Sequence, residues 1–132
     1  MKAFLDTNVL VYAFSQEARG ERARSLLALE PSIAVQSLNE FTLVARRRLG
    51  FDWTRIATAL AQIRQLCSDP RPLTLDVHEM GIAVAERYKI GIFDSMIVAA
   101  ALAADCDTLW SEDMHDGLVV ERRLTIRNPF TA

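Results

Sequence analysis

The sequence has few of the residues that build cross-linked or zinc-binding scaffolds. Its 132 residues include two cysteines and two histidines. Cys67 and Cys106 stand far apart, without C-x-x-C spacing and without a neighbouring histidine cluster. Neither a disulfide framework nor a zinc site is therefore indicated. Both thiols are better interpreted as small buried hydrophobic side chains.

Long apolar runs are also missing. The longest nearly apolar stretch runs from Ile92 to Ala104, contains Asp94 and is too short to cross a bilayer. The N-terminus enters a strand-like pattern directly after Lys2, without the charged and apolar regions of a signal peptide. We therefore expect a cytoplasmic protein.

No strong excess of one charge is present. The net charge is −2 and the pI is near 5.7, so composition alone does not indicate a nucleic-acid partner. Any basic surface for RNA has to be local, because an acidic site would mask it in the total. The content of 51% hydrophobic and 24% charged residues is typical of a globular chain. The length fits one domain over residues 1–132.

Strand-like and helix-like segments alternate along the chain. Strands are predicted at 2–5, 33–35, 73–75 and 107–110, with an edge strand at 118–120 or 124–127. Between them, apolar residues recur at helical steps, for example at Trp53, Ile56 and Leu60. Asp76 and Glu79 fit a capping box for a further helix. The alternation predicts a three-layer α/β/α sandwich with a mostly parallel sheet of about five strands.

Four acidic residues stand where a strand-like run ends or a helix begins: Asp6, Glu40, Asp94 and Asp113. In a parallel α/β sheet such ends converge on one edge. Two like charges about 4 Å apart repel by roughly 4 kcal/mol at an effective dielectric constant of 20. Several such pairs would take up much of a domain's stability of roughly 5–15 kcal/mol. A divalent cation bound through oxygen is the usual remedy, and the pattern therefore indicates metal-dependent phosphodiester chemistry.

Each acid also has a structural interpretation. Asp6 and Asp94 could cap the helices that follow them, and Ser37-x-x-Glu40 fits a capping box. Asp113 stands in a polar loop of the kind in which acids are commonly solvated. Four independent caps would not all require carboxylates at the same end of their strands, which favours a joint site. The alternative is that the four carboxylates lie apart.

At these residues the chain resembles the PIN-domain ribonucleases, and in particular the VapC-type toxins of bacterial and archaeal toxin–antitoxin pairs. The resemblance covers essentially the whole chain and rests on FLDTNVLVYAF, SLNEF, GIFDSMIVAAAL and CDTLWSEDMHDG. It implies a five-stranded parallel sheet, dependence on Mg²⁺ or Mn²⁺ and cleavage of RNA. It also implies a homodimer and inhibition by a cognate antitoxin.

The resemblance assigns roles to particular residues. The acidic quartet of the family, which would bind the metal and carry out catalysis, falls on Asp6, Glu40, Asp94 and Asp113, with Asp116 as an auxiliary ligand. The small polar residues that would hold the carboxylates or a coordinated water are Thr7, Asn8 and Ser111. Many relatives have threonine where this chain has Ser111, and the hydroxyl is kept. Hydrolysis of this kind leaves a 5′-phosphate and a 3′-hydroxyl.

Substrate binding would depend on arginine side chains. Arg46, Arg47 and Arg48 end the helix that begins near Glu40, and they are candidate contacts for RNA or for an acidic partner. Favourable placement of cations at a helix C-terminus is the structural explanation. A helix of a dozen residues is about 18 Å long, which predicts that the triplet lies one helix length from Glu40.

Two other functional classes are alternatives. A haloacid-dehalogenase-like phosphatase also begins with a strand and an aspartate, here Asp6. Its common Asp-x-Asp-x-Thr form requires a second aspartate where this chain has Asn8. A covalent phosphate trapped on Asp6 would support that class. The other alternative is a non-catalytic PIN-like interaction module, and the retention of mutually repelling carboxylates argues against it.

Overall fold

The computed structural model describes residues 2–131. Within this range helices and strands follow one another in the order β1 (Ala3–Leu5), α1 (Thr7–Ala13), α2 (Gly20–Leu27), α3 (Val35–Arg47), α4 (Trp53–Leu66), α5 (Leu75–Tyr88), α6 (Ile92–Ala103), β2 (Thr108–Trp110), β3 (Val119–Val120) and β4 (Leu124–Arg127). None of the helices in this range has the length and apolar character needed to cross a membrane.

The sheet brings an early and a late part of the chain together. Its strand order is β1-β2-β4-β3. Strand β2 pairs in parallel with both β1 and β4, and the short β3 runs antiparallel to β4. In the β1–β2 pair, Leu5 lies opposite Trp110. Since parallel strands end at the same edge of a sheet, the residues that follow Leu5 and Trp110 emerge side by side.

The strand predicted at 33–35 is reduced to a single bridge at Ala34, and two isolated bridges stand beside the sheet. The strand predicted at 73–75 is wrong, because helix α5 begins at Leu75 and the nearest bridge is at Arg71. The bridges are parallel and join Phe4 to Ser32 and Ala34 to Arg71. Pro31 and Pro72 flank these bridges and have no N–H group to donate, which limits a longer ladder. The sheet is mostly parallel, as predicted, but it has four strands where about five were expected. Both late segments form strands, and β4 lies between β2 and β3, away from the edge.

The capping box predicted for helix α5 is wrong. The N-cap is Thr74, whose hydroxyl oxygen accepts a hydrogen bond from the Val77 backbone N–H at 3.1 Å. Asp76 therefore lies inside the first turn of the helix, where its charge complements the helix dipole.

The sheet divides the core into two layers. Successive side chains of β1 point to opposite faces, so Phe4 belongs to the buried cluster under α5 and α6, and Leu5 to the cluster under α1–α4. Strand β2 repeats this division with Leu109 and Trp110. Apolar clusters on both faces of the sheet confirm the predicted α/β/α sandwich.

Helices α5 and α6 approach each other closely at Gly81. A Cβ atom at this position would lie 2.7 Å from Met96 Sδ, which is too short for a real contact. Helix α6 is buried on nearly all sides from Ser95 to Leu102. This packing fixes the helix under the sheet and so fixes the direction of its first turn, which carries Asp94.

Candidate metal centre

One open cavity collects the four predicted acids. Asp6, Glu40, Asp94 and Asp113 all line a space of about 520 Å³ at the carboxyl edge of the sheet. Asp6 follows β1 and Asp113 follows β2, whereas Glu40 and Asp94 come from helices α3 and α6. Four separate segments of the chain thus contribute one carboxylate each. The interpretation in which the four acids lie apart does not hold.

Asp6 is the most buried of these acids, with 5% of its surface exposed. Its carboxylate accepts hydrogen bonds from the Ser111 hydroxyl and from the Thr7 backbone N–H, both at 2.7 Å. Burial, with a smaller contribution from the charges of Asp94 and Asp113, raises the pKa of Asp6 to about 6 against the opposing effect of these two hydrogen bonds. Asp6 also caps helix α1 through Thr7, so its structural role and its place in the cavity coexist.

Asn8 links two of the acids. Its Nδ2 amide donates to Asp6 Oδ2 at 3.3 Å and to Asp113 Oδ2 at 3.1 Å. Its Oδ1 accepts a hydrogen bond from the Glu112 backbone N–H at 3.2 Å. A neutral donor therefore stands between two carboxylates, where it holds the start of α1 against the loop that follows β2.

Glu40 has no capping role. Helix α3 begins at Val35, so Ser37 lies inside the helix and the predicted capping box is wrong. The Glu40 carboxylate accepts hydrogen bonds from the Thr7 hydroxyl at 3.0 Å and from Gln36 Nε2 at 2.7 Å. The bond from Thr7 holds the Glu40 carboxylate near Asp6, because the Thr7 backbone N–H binds the Asp6 carboxylate.

Asp94 is not a helix cap either. Helix α6 begins at Ile92 after Gly91, and Asp94 lies within its first turn. Partial burial raises the pKa of Asp94, and the charges of Asp113 and Glu40 raise it further. A carboxylate near a helix N-terminus is ordinarily stabilised in its charged form. The opposite shift shows that burial, together with the neighbouring acids, outweighs the effect of the helix N-terminus.

Asp116 lies outside this group. It does not line the cavity, and its Oδ1 accepts a hydrogen bond from the Asn128 backbone N–H at 2.8 Å. The carboxylate therefore joins the loop after β2 to the end of β4. Its role as an auxiliary metal ligand stays a prediction, without support from its position.

Three polar residues of the cavity were missed by the sequence analysis: Tyr12, Glu17 and Glu112. The Tyr12 hydroxyl donates to Glu112 Oε1 at 3.3 Å. Arg19 forms an ion pair with Glu112 and lies over the Tyr12 ring, 5.6 Å from its centroid. The available signal was spacing, since Tyr12 stands one helical turn after Asn8 and Glu112 directly precedes Asp113.

The three arginines at the end of α3 have different surroundings. Arg48 lines the cavity, and the triplet is therefore not separated as a whole from Glu40. The Arg46 guanidinium lies 4.6 Å from the centroid of the Trp53 ring and donates to the Phe51 carbonyl at 3.3 Å. Arg47 is exposed and does not line the cavity.

The donor atoms of the cavity fit a hard divalent cation. Its titratable ligands are carboxylates, whereas Cys67 and Cys106 are buried elsewhere and burial raises the pKa of Cys67 to about 12. Among residues 2–131, no three His, Cys, Asp or Glu side chains already stand in an arrangement that would hold a metal ion. The carboxylates thus share an open cavity and do not form a closed cage. Mg²⁺ suits such a site, because it keeps several waters and binds through one or two protein carboxylates.

Comparison with known proteins identifies the family. The family model described as PIN domain matches residues 3–115, a range that includes all four acids. The chain therefore belongs to the PIN domain family, as its sequence motifs predicted. A search of curated protein sequences finds no significant match.

Two solved structures are similar to the chain over most of its length. One is a toxin–antitoxin complex from Klebsiella pneumoniae, with a TM-score of 0.71 and 19% identity, covering 99% of this chain and 100% of that chain. The other is VapC20 of Mycobacterium tuberculosis, described as a sarcin–ricin loop cleaving toxin. Its TM-score is 0.66 at 22% identity, covering 85% of this chain and 90% of that chain. Both likenesses confirm the fold.

Proposed function

We propose that the chain is a divalent-metal-dependent endoribonuclease and the toxin of a toxin–antitoxin pair. The observation that carries the proposal is the convergence of four carboxylates, from four separate segments, in one solvent-open cavity of a PIN domain. Support also comes from the similar structures, one a toxin–antitoxin complex and the other a sarcin–ricin loop cleaving toxin.

Charge in the cavity supports a role for a cation. The pKa of Asp6 is about 6, so this buried carboxylate is mostly ionised at neutral pH beside further acids. Among the described residues that line the cavity, Arg48 is the one with a positive charge. A protein gains nothing for stability by collecting repelling charges without a counterion. The arrangement is explained if binding of a cation, Mg²⁺ or Mn²⁺, is its purpose.

Each residue then has a defined task. Asp6 and Asp94 are the direct ligands in this proposal, and Glu40 and Asp113 complete the site directly or through water. When bound, the divalent cation would lower the pKa of a coordinated water and stabilise charge on the leaving oxygen during in-line displacement at phosphorus. Ser111 orients Asp6 by its 2.7 Å hydrogen bond.

The neighbouring polar side chains orient the other acids. The Thr7 hydroxyl donates a hydrogen bond to Glu40 Oε2 at 3.0 Å, and the Asn8 amide donates one to Asp113 Oδ2 at 3.1 Å. Hydrogen bonds of this type commonly fix the orientation of metal ligands. No separate general base is required, and the products carry a 5′-phosphate and a 3′-hydroxyl.

A homodimer and a cognate antitoxin belong to the same proposal. The first turn of α6 exposes two large apolar side chains, Ile92 and Phe93, directly before Asp94. Phe93 is 75% exposed. Adjacent apolar side chains on a surface are typical of sites that another protein covers. Such a contact would lie next to the cavity, where a bound protein could also block access of RNA.

Cleavage of total RNA tests the proposed activity. Purified protein, freed of any bound inhibitor, is incubated with total RNA with and without Mn²⁺, and the new ends are mapped by sequencing. We expect discrete metal-dependent cuts that bear 5′-phosphates, and we expect Asp94→Asn to abolish them. Asp76→Asn is the matched control, because Asp76 also lies in the first turn of a helix but outside the cavity.

Two results would reject the nuclease. Cleavage that persists in Asp94→Asn would place the activity elsewhere, for instance in a contaminant. No cleavage together with no binding of Mn²⁺ by calorimetry would favour the non-catalytic interaction module.

A further inference from the structure

One face of helix α3 forms a wall of the carboxylate cavity. Glu40, Val44 and Arg48 all line the cavity and follow one another at intervals of four residues. Residues spaced in this way lie on one side of a helix. With a rise of about 1.5 Å per residue, Arg48 stands about 12 Å along the axis from Glu40. The wall therefore has an acid at one end and an arginine at the other.

The Arg48 guanidinium has no fixed partner. Within residues 2–131 it makes no hydrogen bond, ion pair or aromatic contact, although acids line the same cavity. By contrast, Arg46 is engaged by Trp53 and Phe51, and Arg19 by Glu112 and Tyr12. Arg48 thus presents its donors to the open space of the cavity, in the planar geometry that binds phosphate through two hydrogen bonds.

A phosphate partner follows from the charges around it. The four carboxylates repel a polyanionic strand at the point where it has to enter. A cation at their centre would offset this repulsion for the phosphate being cut, but not for the next phosphates of the strand. The positive charge of Arg48, on the same wall and about 12 Å from Glu40 along the helix axis, is placed to bind one of these neighbouring phosphates.

We propose that Arg48 binds a backbone phosphate of the RNA that is not the one being cleaved, and so fixes where the strand lies across the cavity. The inference rests on the proposed nuclease function and adds a substrate contact to it. The three arginines then have separate tasks. Arg48 binds substrate, Arg46 packs on Trp53, and Arg47 contributes only to the electrostatic potential around the protein.

Steady-state kinetics test the contact, using a short single-stranded RNA that spans a mapped cut. Loss of a charge-assisted hydrogen bond predicts a rise in KM of about 10- to 100-fold for Arg48→Gln, with kcat little changed. The slope of log KM against log salt should fall by about 0.7, the value for one lost phosphate contact with a single strand. Arg64→Gln is the matched control, since Arg64 likewise lies at the end of a helix and is exposed, but is outside the cavity.

Neutral phosphate analogues identify the partner. Methylphosphonate is placed at each position around the cut in turn, and every RNA is assayed with the wild type and with Arg48→Gln. We expect one position at which the neutral group raises KM for the wild type but has no further effect on the variant. Arg48→Lys should recover part of the loss, because it keeps the charge but not the paired donors.

Several outcomes would overturn the inference. These are an unchanged KM in Arg48→Gln, the same methylphosphonate profile in wild type and variant, or equal losses in Arg47→Gln and Arg48→Gln. If an inhibitor co-purifies with the wild type, an unchanged KM together with weaker binding of that inhibitor to Arg48→Gln would assign Arg48 to the protein partner instead. Melting temperatures show whether each variant is folded. If the wild type does not cut RNA, the nuclease itself is rejected. If the wild type cuts RNA and Arg48→Gln cuts it equally well, only this contact is rejected.

Discussion

The Ser111 hydroxyl donates a 2.7 Å hydrogen bond to Asp6 Oδ2, and so connects the residue after β2 to the residue after β1. Ser111 is completely buried, and its oxygen also accepts the Asp113 backbone N–H at 3.2 Å. One hydroxyl group therefore orients a carboxylate at the sheet edge and the turn that carries a second carboxylate. This contact therefore contributes to the order of the cavity, beside the hydrogen bonds of Asn8.

Removal of that hydroxyl should weaken metal binding without unfolding the protein. Partners that orient metal ligands typically contribute 10- to 100-fold to affinity, and we expect Ser111→Ala to lower Mn²⁺ affinity by about that factor. Isothermal titration calorimetry measures the change. Ser25→Ala is the control, because its hydroxyl donates to the Glu21 carbonyl on an exposed helix face and the residue does not line the cavity. Equal affinities in the two variants would show that Ser111 does not orient a ligand.

Divalent cations should raise the melting temperature. A ligand at about 100 times its Kd stabilises the folded state by about 2.7 kcal/mol, which corresponds to roughly 10 °C for a chain of this size. Asp94→Asn should lose most of this gain and Asp76→Asn should keep it. Differential scanning calorimetry with Mg²⁺, with Mn²⁺ and with chelator gives the comparison. A melting temperature that is independent of metal in the wild type would contradict the metal centre.

The stability of the metal-free protein should fall as pH rises through the titration of Asp6. The pKa of this carboxyl is about 6 in the folded protein against an ordinary value of 3.8, so the folded state binds more protons between about pH 4 and pH 6. The free energy of unfolding therefore decreases with rising pH in this window, by up to about 3 kcal/mol, and Asp6 adds no further change above it.

Asp6→Asn isolates this effect. In chelator, urea denaturation should find the variant more stable than the wild type at pH 7.5, with the difference much smaller at pH 4.5. Added Mg²⁺ should reverse the order at pH 7.5, because only the wild type can bind the ion. Parallel stability curves for the two proteins across this pH range would disprove the raised pKa.

Ser37→Ala should stabilise the protein. The Ser37 hydroxyl is fully buried inside α3 and has no hydrogen-bond partner among residues 2–131. An unsatisfied buried hydroxyl is costly, and alanine is the better helix former, so we expect a gain of about 1 kcal/mol in the free energy of unfolding. Urea denaturation measures it, with cleavage activity unchanged. A loss of stability would mean that the hydroxyl has a partner, such as a buried water.

Sequence patterns were sufficient to predict the layers of the fold and the convergence of the four acids. The helical spacing of Ile56, Leu60 and neighbouring apolar residues predicted α4, and the alternation of strands and helices predicted the parallel sheet. The convergence of Asp6 and Asp113 follows from this order alone, because parallel strands end at one edge. The structure places all four predicted acids in one cavity.

Tertiary contacts decided what the sequence could not show. The Ser37-x-x-Glu40 pattern matched a capping box, but Val35 N–H bonds the Arg71 carbonyl at 2.9 Å and the helix begins at once after Ala34. The separate surroundings of Arg46 and Arg48 likewise depend on which side of α3 faces the cavity. Neither the position of a helix start nor the rotation of a helix end is fixed by local pattern.

The pairing of β1 with β2 determines when the cavity can form during synthesis of the chain. A ribosome synthesises Asp6, Glu40 and Asp94 before Asp113 and before strand β4, which pairs with β2. Until β2 has been made and has paired with β1, the polypeptide therefore lacks one of the four carboxylates, and its cavity is incomplete. The proposed nuclease activity would therefore become possible only after Asp113 has been synthesised, and an inhibitor that recognises the complete cavity would have no target before that point.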